Sequence, residues 1–229
     1  MVYMADVSYN IIHESKSVSD QVCDTIRKLI INKSLPSGER LVETKIAKEL
    51  AVSITPVRQA FSQLANEGLL TVYPFKGTYV TQITSDYVQN VLDTRRILEI
   101  GVANLCFDKL TPEDAKILLD FTQQSDAYCN HGLIFEATEA DLNFHEYFFK
   151  VCGNDILHRM WKVLRTRIQY IQSYTKPKIL PSDYLRKRHA GMIDAINKRE
   201  KESFIDNLNE HIVSSFDFNY FHCADDISS

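Results

Sequence analysis

Four residues in the second half of the chain have types and positions suited to holding a metal cation. Asp141 and His145 stand four apart, in register with Phe148 and Cys152, which on a helix puts a carboxylate and an imidazole on one face. His189 falls on the stripe Leu185, Met192, Ile193 and Ile196, and His211 lies beside Leu208, Ile212 and Ser215. A carboxylate and three imidazoles turned inward are costly to hide uncompensated. A divalent cation compensates them, since imidazole nitrogen suits zinc, nickel and similar ions and the carboxylate adds charge. Spacing alone does not bring three helices to a point, so each histidine also has an ordinary reading as a satisfied core residue. His13, His131, His158 and His222 have only the ordinary reading.

A second constellation occupies residues 55–66. Val57, Ala60, Phe61 and Leu64 form a greasy flank, and Arg58, Gln59, Ser62 and Gln63 form a polar one. A helix of this kind behind a short partner helix has the pattern of a recognition helix lying in the DNA major groove. Ser53 and Thr55 at its start offer hydroxyls to a phosphate, and Arg58 can fork onto a guanine edge. Lys76 and Gly77 mark the tip of a following hairpin that can enter the minor groove or touch phosphates. A small helical subdomain used for protein contacts is the bland reading of the same pattern.

The elements that must position these groups differ between the two halves. Val18, Val22, Ile26, Leu29 and Ile30 follow helical spacing behind a capping pair, Ser17 and Asp20. Pro36 and Gly38 break that helix. A second spans Glu43 to Leu50, and a third opens at Thr55-Pro56 and stops at Gly68. The runs Leu69–Tyr73 and Thr78–Ile83, joined by Pro74 to Gly77, predict a β-hairpin. Beyond a short linker near Gln82 to Asp86 the chain is wholly helical, with six helices near 84–108, 111–130, 133–152, 154–175, 182–198 and 200–222. The expectation is a mainly α protein: a winged helix-turn-helix over 1–83 and an all-α bundle over 84–229.

Bulk properties narrow the partners. The chain has 229 residues and a formal charge of −4, with nine Lys and Arg against eight Asp and Glu in residues 1–80. No basic block exists, so contact with DNA rests on a few placed cations. Five scattered cysteines with no C-x-x-C pair point to reduced cytosolic thiols. The N-terminus lacks a basic region followed by an apolar stretch, and no apolar run is long enough for a membrane span, so a cytoplasmic location is expected.

The run from Leu35 to Val80 resembles the winged helix of the GntR superfamily. The matching features are P-x-G-x-R-L, E-x-x-I-A-x-x-L, V-S-x-T-P-V-R-x-A, E-G-L and G-x-Y-V. The resemblance implies DNA contact through Arg40, Ser53, Thr55, Arg58 and Gly77. Two residues depart from the family. Ile54 replaces the usual Arg after the serine and offers a base only apolar contact. Ala51 replaces the usual glycine of the turn, which at positive φ costs on the order of 1 kcal/mol.

D-L-N-F-H (141–145) with V-C-G-N, R-H-A-G-M-I-D-A-I (188–196) and N-E-H-I (209–212) resemble the FCD effector domain of the FadR-type branch of that superfamily, and R-R-I-L-E (95–99) fits its first helix. The resemblance implies that Asp141, His145, His189 and His211 form a metal site helping to bind a small carboxylate effector. Arg95, beside Arg96, then becomes a candidate to pair with that carboxylate. Such a regulator would act as a homodimer on palindromic operator DNA and, by family habit, as a repressor. The rivals are a metal-dependent hydrolase in a helical bundle and a metal-free effector-binding regulator. Against the hydrolase, H-E-x-x-H and G-x-S-x-G are absent, and Glu146 lies about 100° round its helix from His145.

Overall fold

The computed structural model describes residues 16–174 and 183–214. The first helix, α1 (Val18–Ile31), starts at Ser17, whose hydroxyl and the Asp20 carboxylate each accept the other's backbone N–H in a capping box. It buries Val22, Cys23, Ile26 and Ile30 against α3 (Ile54–Glu67), which also packs against α2 (Glu43–Glu49). Ala51, in the turn joining α2 to α3, has φ +54°, so the glycine position of the family holds an alanine in the left-handed region.

Two expectations for this unit need correction. The third helix begins at Ile54 with Ser53 as its N-cap, so Thr55 lies inside the first turn and does not cap it. The hairpin strands are shorter than the sequence suggests, β2 being Leu70–Tyr73 and β3 Gly77–Val80. A third, two-residue strand, β1 (Arg40–Leu41), pairs antiparallel with β3 and puts β3 in the centre of the sheet. Two residues are too short for a periodic signal, so β1 has no signature of its own in the sequence.

The helical half contains α4 (Ser85–Cys106), a single 3-10 turn (Phe107–Lys109), α5 (Pro112–Asn130), α6 (Ile134–Cys152), α7 (Asp155–Ser173), α8 (Tyr184–Lys198) and α9 (Lys201–Val213). All six expected helices are present. The last stops at Val213, and the expected continuation to 222 lies outside the described residues. α4 packs against α6, α7 and α9, while α5 packs against α6 and α8. Phe144, Phe148, Phe149, Trp161 and Phe204 fill the space between them. Among the described residues no helix is long and apolar enough to cross a membrane.

α7 bridges the two halves. Its Tyr170 hydroxyl donates to the Thr81 carbonyl at 2.6 Å, and its Tyr174 hydroxyl accepts from the Ser37 amide at 2.7 Å. Arg167 lies so close over Gly68 that a β-carbon there would collide with the guanidinium. Gly68 closes α3 at φ +81°, so the C-terminal end of α3 seats directly on the helical half.

Candidate metal centre and DNA-facing surface

Asp141 and His145 project from one face of α6, His189 from α8 and His211 from α9, and all four are buried. One ligand atom from each lies within 4.8 Å of every other. The four residues predicted as ligands therefore do converge.

Hydrogen bonds at the far side of the rings decide which atoms face inward. His189 Nδ1 lies 2.7 Å from the Leu185 carbonyl, an acceptor, so Nδ1 carries the proton and Nε2 a lone pair. That Nε2 sits 3.3 Å from Asp141 Oδ1, and neither atom has a hydrogen-bond partner. Two buried acceptors facing each other repel unless a proton or a metal cation lies between them. On α6, His145 Nδ1 donates to Glu99 Oε2 at 2.6 Å, which turns its Nε2 toward His211 Nε2, 3.1 Å away. These two separations fall between the roughly 2.9 Å cis edge of an octahedron and the roughly 3.3 Å edge of a tetrahedron with arms of about 2.05 Å. The others lie within 4.8 Å, so a larger coordination number with further positions open is compatible with the four side chains. The donor set fits a borderline divalent ion such as zinc or nickel.

Electrostatics keep the rings ready. Burial, opposed by Asp141, lowers the His189 pKa to about 4. Burial and the neighbouring His189, His145 and Arg95 hold that of His211 well below the ordinary histidine value. Both rings are neutral at pH 7, as ligation requires.

Glu99 is the functional residue that sequence reasoning missed. It is fully buried on α4, accepts from Arg95 Nε at 2.6 Å through one oxygen and from His145 through the other. Burial raises its pKa, but the Arg95 guanidinium and His145 outweigh that and bring it to about 2. A carboxylate behind a ligating histidine fixes its tautomer and orientation. The available signal was the i, i+4 pair Arg95 and Glu99 on a stripe otherwise formed by Val88, Leu92, Val102 and Cys106. Arg95 itself is buried and engaged with Glu99, whereas Arg96 is exposed. Trp161, stacked on Phe149 and 6.3 Å from the His145 ring, buries an indole N–H with no hydrogen-bond partner. On α5, Asp126 accepts from the Leu185 and Arg186 amides and so anchors the α8 turn that leads to His189.

The remaining histidines have local partners. His131 bonds the Ala127 carbonyl, and His158 bonds Glu146, which also pairs with Arg165. Glu146 is thus committed away from the ligand cluster. His13 and His222 lie outside the described residues.

At the other end, Ser53, Ile54, Thr55 and Arg58 are exposed at the start of α3. The Arg58 side chain is 69% accessible and its Nε meets Glu43 at 2.7 Å. Ser17 and Ser19 of α1 line a shallow depression with Ser53, Thr55 and Gln59, so two helix N-termini open on one surface suited to an anion. Lys76 is exposed in the hairpin turn, and the Arg40 guanidinium lies under Gly77, where an added β-carbon would meet Nε at 3.3 Å.

The FCD domain family matches residues 90–214, and the bacterial regulatory proteins of the gntR family match residues 18–80. The chain is 22% identical over 201 residues to the HTH-type transcriptional repressor RspR of Escherichia coli (strain K12), covering 88% of each. It is 28% identical over 199 residues to a probable D-xylose utilization operon transcriptional repressor of Paenarthrobacter nicotinovorans, covering 86% of this chain and 87% of that one. The solved structure of E. coli McbR/YncC shares the fold, with a TM-score of 0.70 at 22% identity over 88% of this chain and 96% of that one.

Proposed function

The chain belongs to the GntR family of bacterial regulatory proteins, in the branch that carries an FCD domain, and from that premise we propose a homodimeric, cytoplasmic repressor whose operator affinity is set by a small carboxylate bound at a metal centre. Residues 1–83 form the DNA-binding unit and 84–229 the sensing and dimerising unit. The observation that carries this reading is the buried pair Asp141 Oδ1 and His189 Nε2, 3.3 Å apart and unpartnered, with ligand atoms of His145 and His211 within 4.8 Å of both. A divalent cation there supplies positive charge and open coordination positions for a carboxylate.

The chain's own residues do the rest. Glu99 and the Leu185 carbonyl hold two rings in the ligating tautomer, and Arg95 adds positive charge beside His211. The Trp161 indole offers a donor to a polar group of the ligand. A ligand that repacks Trp161 moves α7, and α7 bears on Thr81, Ser37 and Gly68 at the edge of the winged unit. An effector that binds one arrangement better than the other shifts the population of DNA-competent dimers. Apolar stripes left exposed on the packed helices α4 (Ile97, Leu105) and α7 (Ile156, Met160) support pairing of two helical units. Such a dimer sets two recognition helices about 34 Å apart, one turn of DNA.

The test is binding of the full chain to the intergenic duplex upstream of its own gene, with and without chelator and a panel of small carboxylates. Affinity should fall steeply with salt, and Arg58→Ala should weaken it about 10- to 100-fold, the worth of one bidentate base contact. At least one carboxylate should change affinity only in the metal-loaded protein. A salt-independent affinity unaffected by Arg58→Ala would refute the DNA contacts; carboxylate responses identical with and without chelator would refute the metal-assisted sensor.

A further inference from the structure

We propose that Phe75 is an apolar wedge at the wing tip, inserted into the minor groove of bound DNA at a flexible base step. On this proposal, which rests on the DNA-binding reading above, the protein reads its operator partly through how easily that step kinks.

The hairpin turn runs Tyr73-Pro74-Phe75-Lys76 and is closed by the Lys76 amide donating to the Tyr73 carbonyl at 3.0 Å. Proline at the second position with positive φ at the third is the pattern of a type II turn, whose third position ordinarily holds glycine or asparagine. Here it holds a phenylalanine at φ +63°. An aromatic residue in the left-handed region is strained, and strain of that kind collects at ligand-contacting positions. Folding does not use the ring, because its relative exposure is 110%.

The surroundings specify the partner. Lys76 follows Phe75, and the Arg40 guanidinium lies beneath Gly77. Cations around a projecting apolar side chain are the composition of minor-groove binders that wedge Phe or Leu between base steps. The base of the hairpin is stiff: Tyr73 pairs with Gly77 across the strands, and the Tyr73 and Tyr79 rings meet edge to face with centroids 5.5 Å apart. The recognition helix gives the complementary argument. Ile54 at its start has no group to hydrogen-bond a base, and Arg58 is shared with Glu43. Direct base readout is reduced, and deformability of the duplex supplies discrimination in its place, pyrimidine–purine steps being the easiest to unstack.

The experiment uses duplexes selected by the full chain from a random-sequence pool. They should carry a TA or CA/TG step at a fixed offset outside each recognition half-site. Circular-permutation electrophoresis should show a bend, and 2-aminopurine placed at the step should brighten on binding. Phe75→Ala should lose the bend, the brightening and about 10-fold in affinity while keeping the salt slope, because the ring touches no phosphate. Phe75→Trp should retain all three. Lys76→Ala should instead reduce the salt slope by about one unit with the bend intact. A Phe75→Ala protein with unchanged bend and step preference overturns the wedge, as does one whose only change is in self-association without DNA. Failure of the wild-type chain to select any duplex would instead strike the DNA-binding reading itself.

Discussion

The winged unit and the helical unit handle polarity in opposite ways. Among residues 16–83 the one buried polar side chain is Thr81, while Ser53, Thr55, Arg58, Arg40 and Lys76 stay exposed. The helical unit buries Arg95, Glu99, Asp141, His145, His189 and His211 together. The first arrangement suits a large polyanion that comes to the surface, where contacts are salt-screened and individually weak. The second suits a small charged guest, because in a dry interior each polar group is held in place by its partner and a missing partner is costly.

The comparison is broken most forcefully at Glu99. Glu99→Ala removes the buried carboxylate that Arg95 Nε and His145 Nδ1 share, and should cost about 3–5 kcal/mol in urea unfolding, the scale for breaking a buried ion pair. Glu99→Gln, which keeps the shape, should cost less but lower metal affinity about 10- to 100-fold. If Glu99→Ala unfolded like wild type, the helical unit would be no more dependent on buried charge than the winged one.

Acid should act on the same unit. Between the ordinary histidine value of about 6.5 and the folded His189 value of about 4, the unfolded chain takes up a proton that the folded chain refuses. Stability of metal-stripped protein should therefore fall as pH drops through that window, by about 3 kcal/mol from His189 alone, and this source should contribute no change above it. Urea midpoints at pH 7, 6, 5 and 4.5 measure the loss, and His189→Gln should reduce it, leaving the part that His211 supplies. The smallest effect lies in the winged unit, where Ala51→Gly relieves positive φ without touching a partner and should raise stability by about 1 kcal/mol in thermal melts.

The same contrast governs what the sequence revealed. The winged unit is written in local signals: the Ser17 and Asp20 cap, the proline in the first turn of α3 (though the helix opens at Ile54, one residue earlier than read), the Gly68 stop and the turn at Pro74 each act within a few residues. Only β1 escaped, because Arg40 and Leu41 gain strand geometry from β3 and not from their own pattern. In the helical unit each ligand was legible on its own stripe, but their meeting depends on how α4 and α5 hold α6 opposite α8 and α9, bringing together residues 22 to 70 apart along the chain, which no periodicity encodes. Resemblance to the FCD domain supplied the grouping. Glu99 was passed over because, read along α4, it is one carboxylate of a local i, i+4 pair with Arg95; its tie to His145 exists only in three dimensions.

The most direct measurement of the central claim is calorimetric titration of chelator-stripped protein with zinc and with nickel at pH 7, in two buffers of different ionisation enthalpy. The account predicts one ion per chain with little proton release from His189 and His211, already neutral, and a loss of binding of about 100-fold or more in Asp141→Ala or His189→Ala. Equal binding by wild type and both variants, or no binding by a folded wild type, would contradict it.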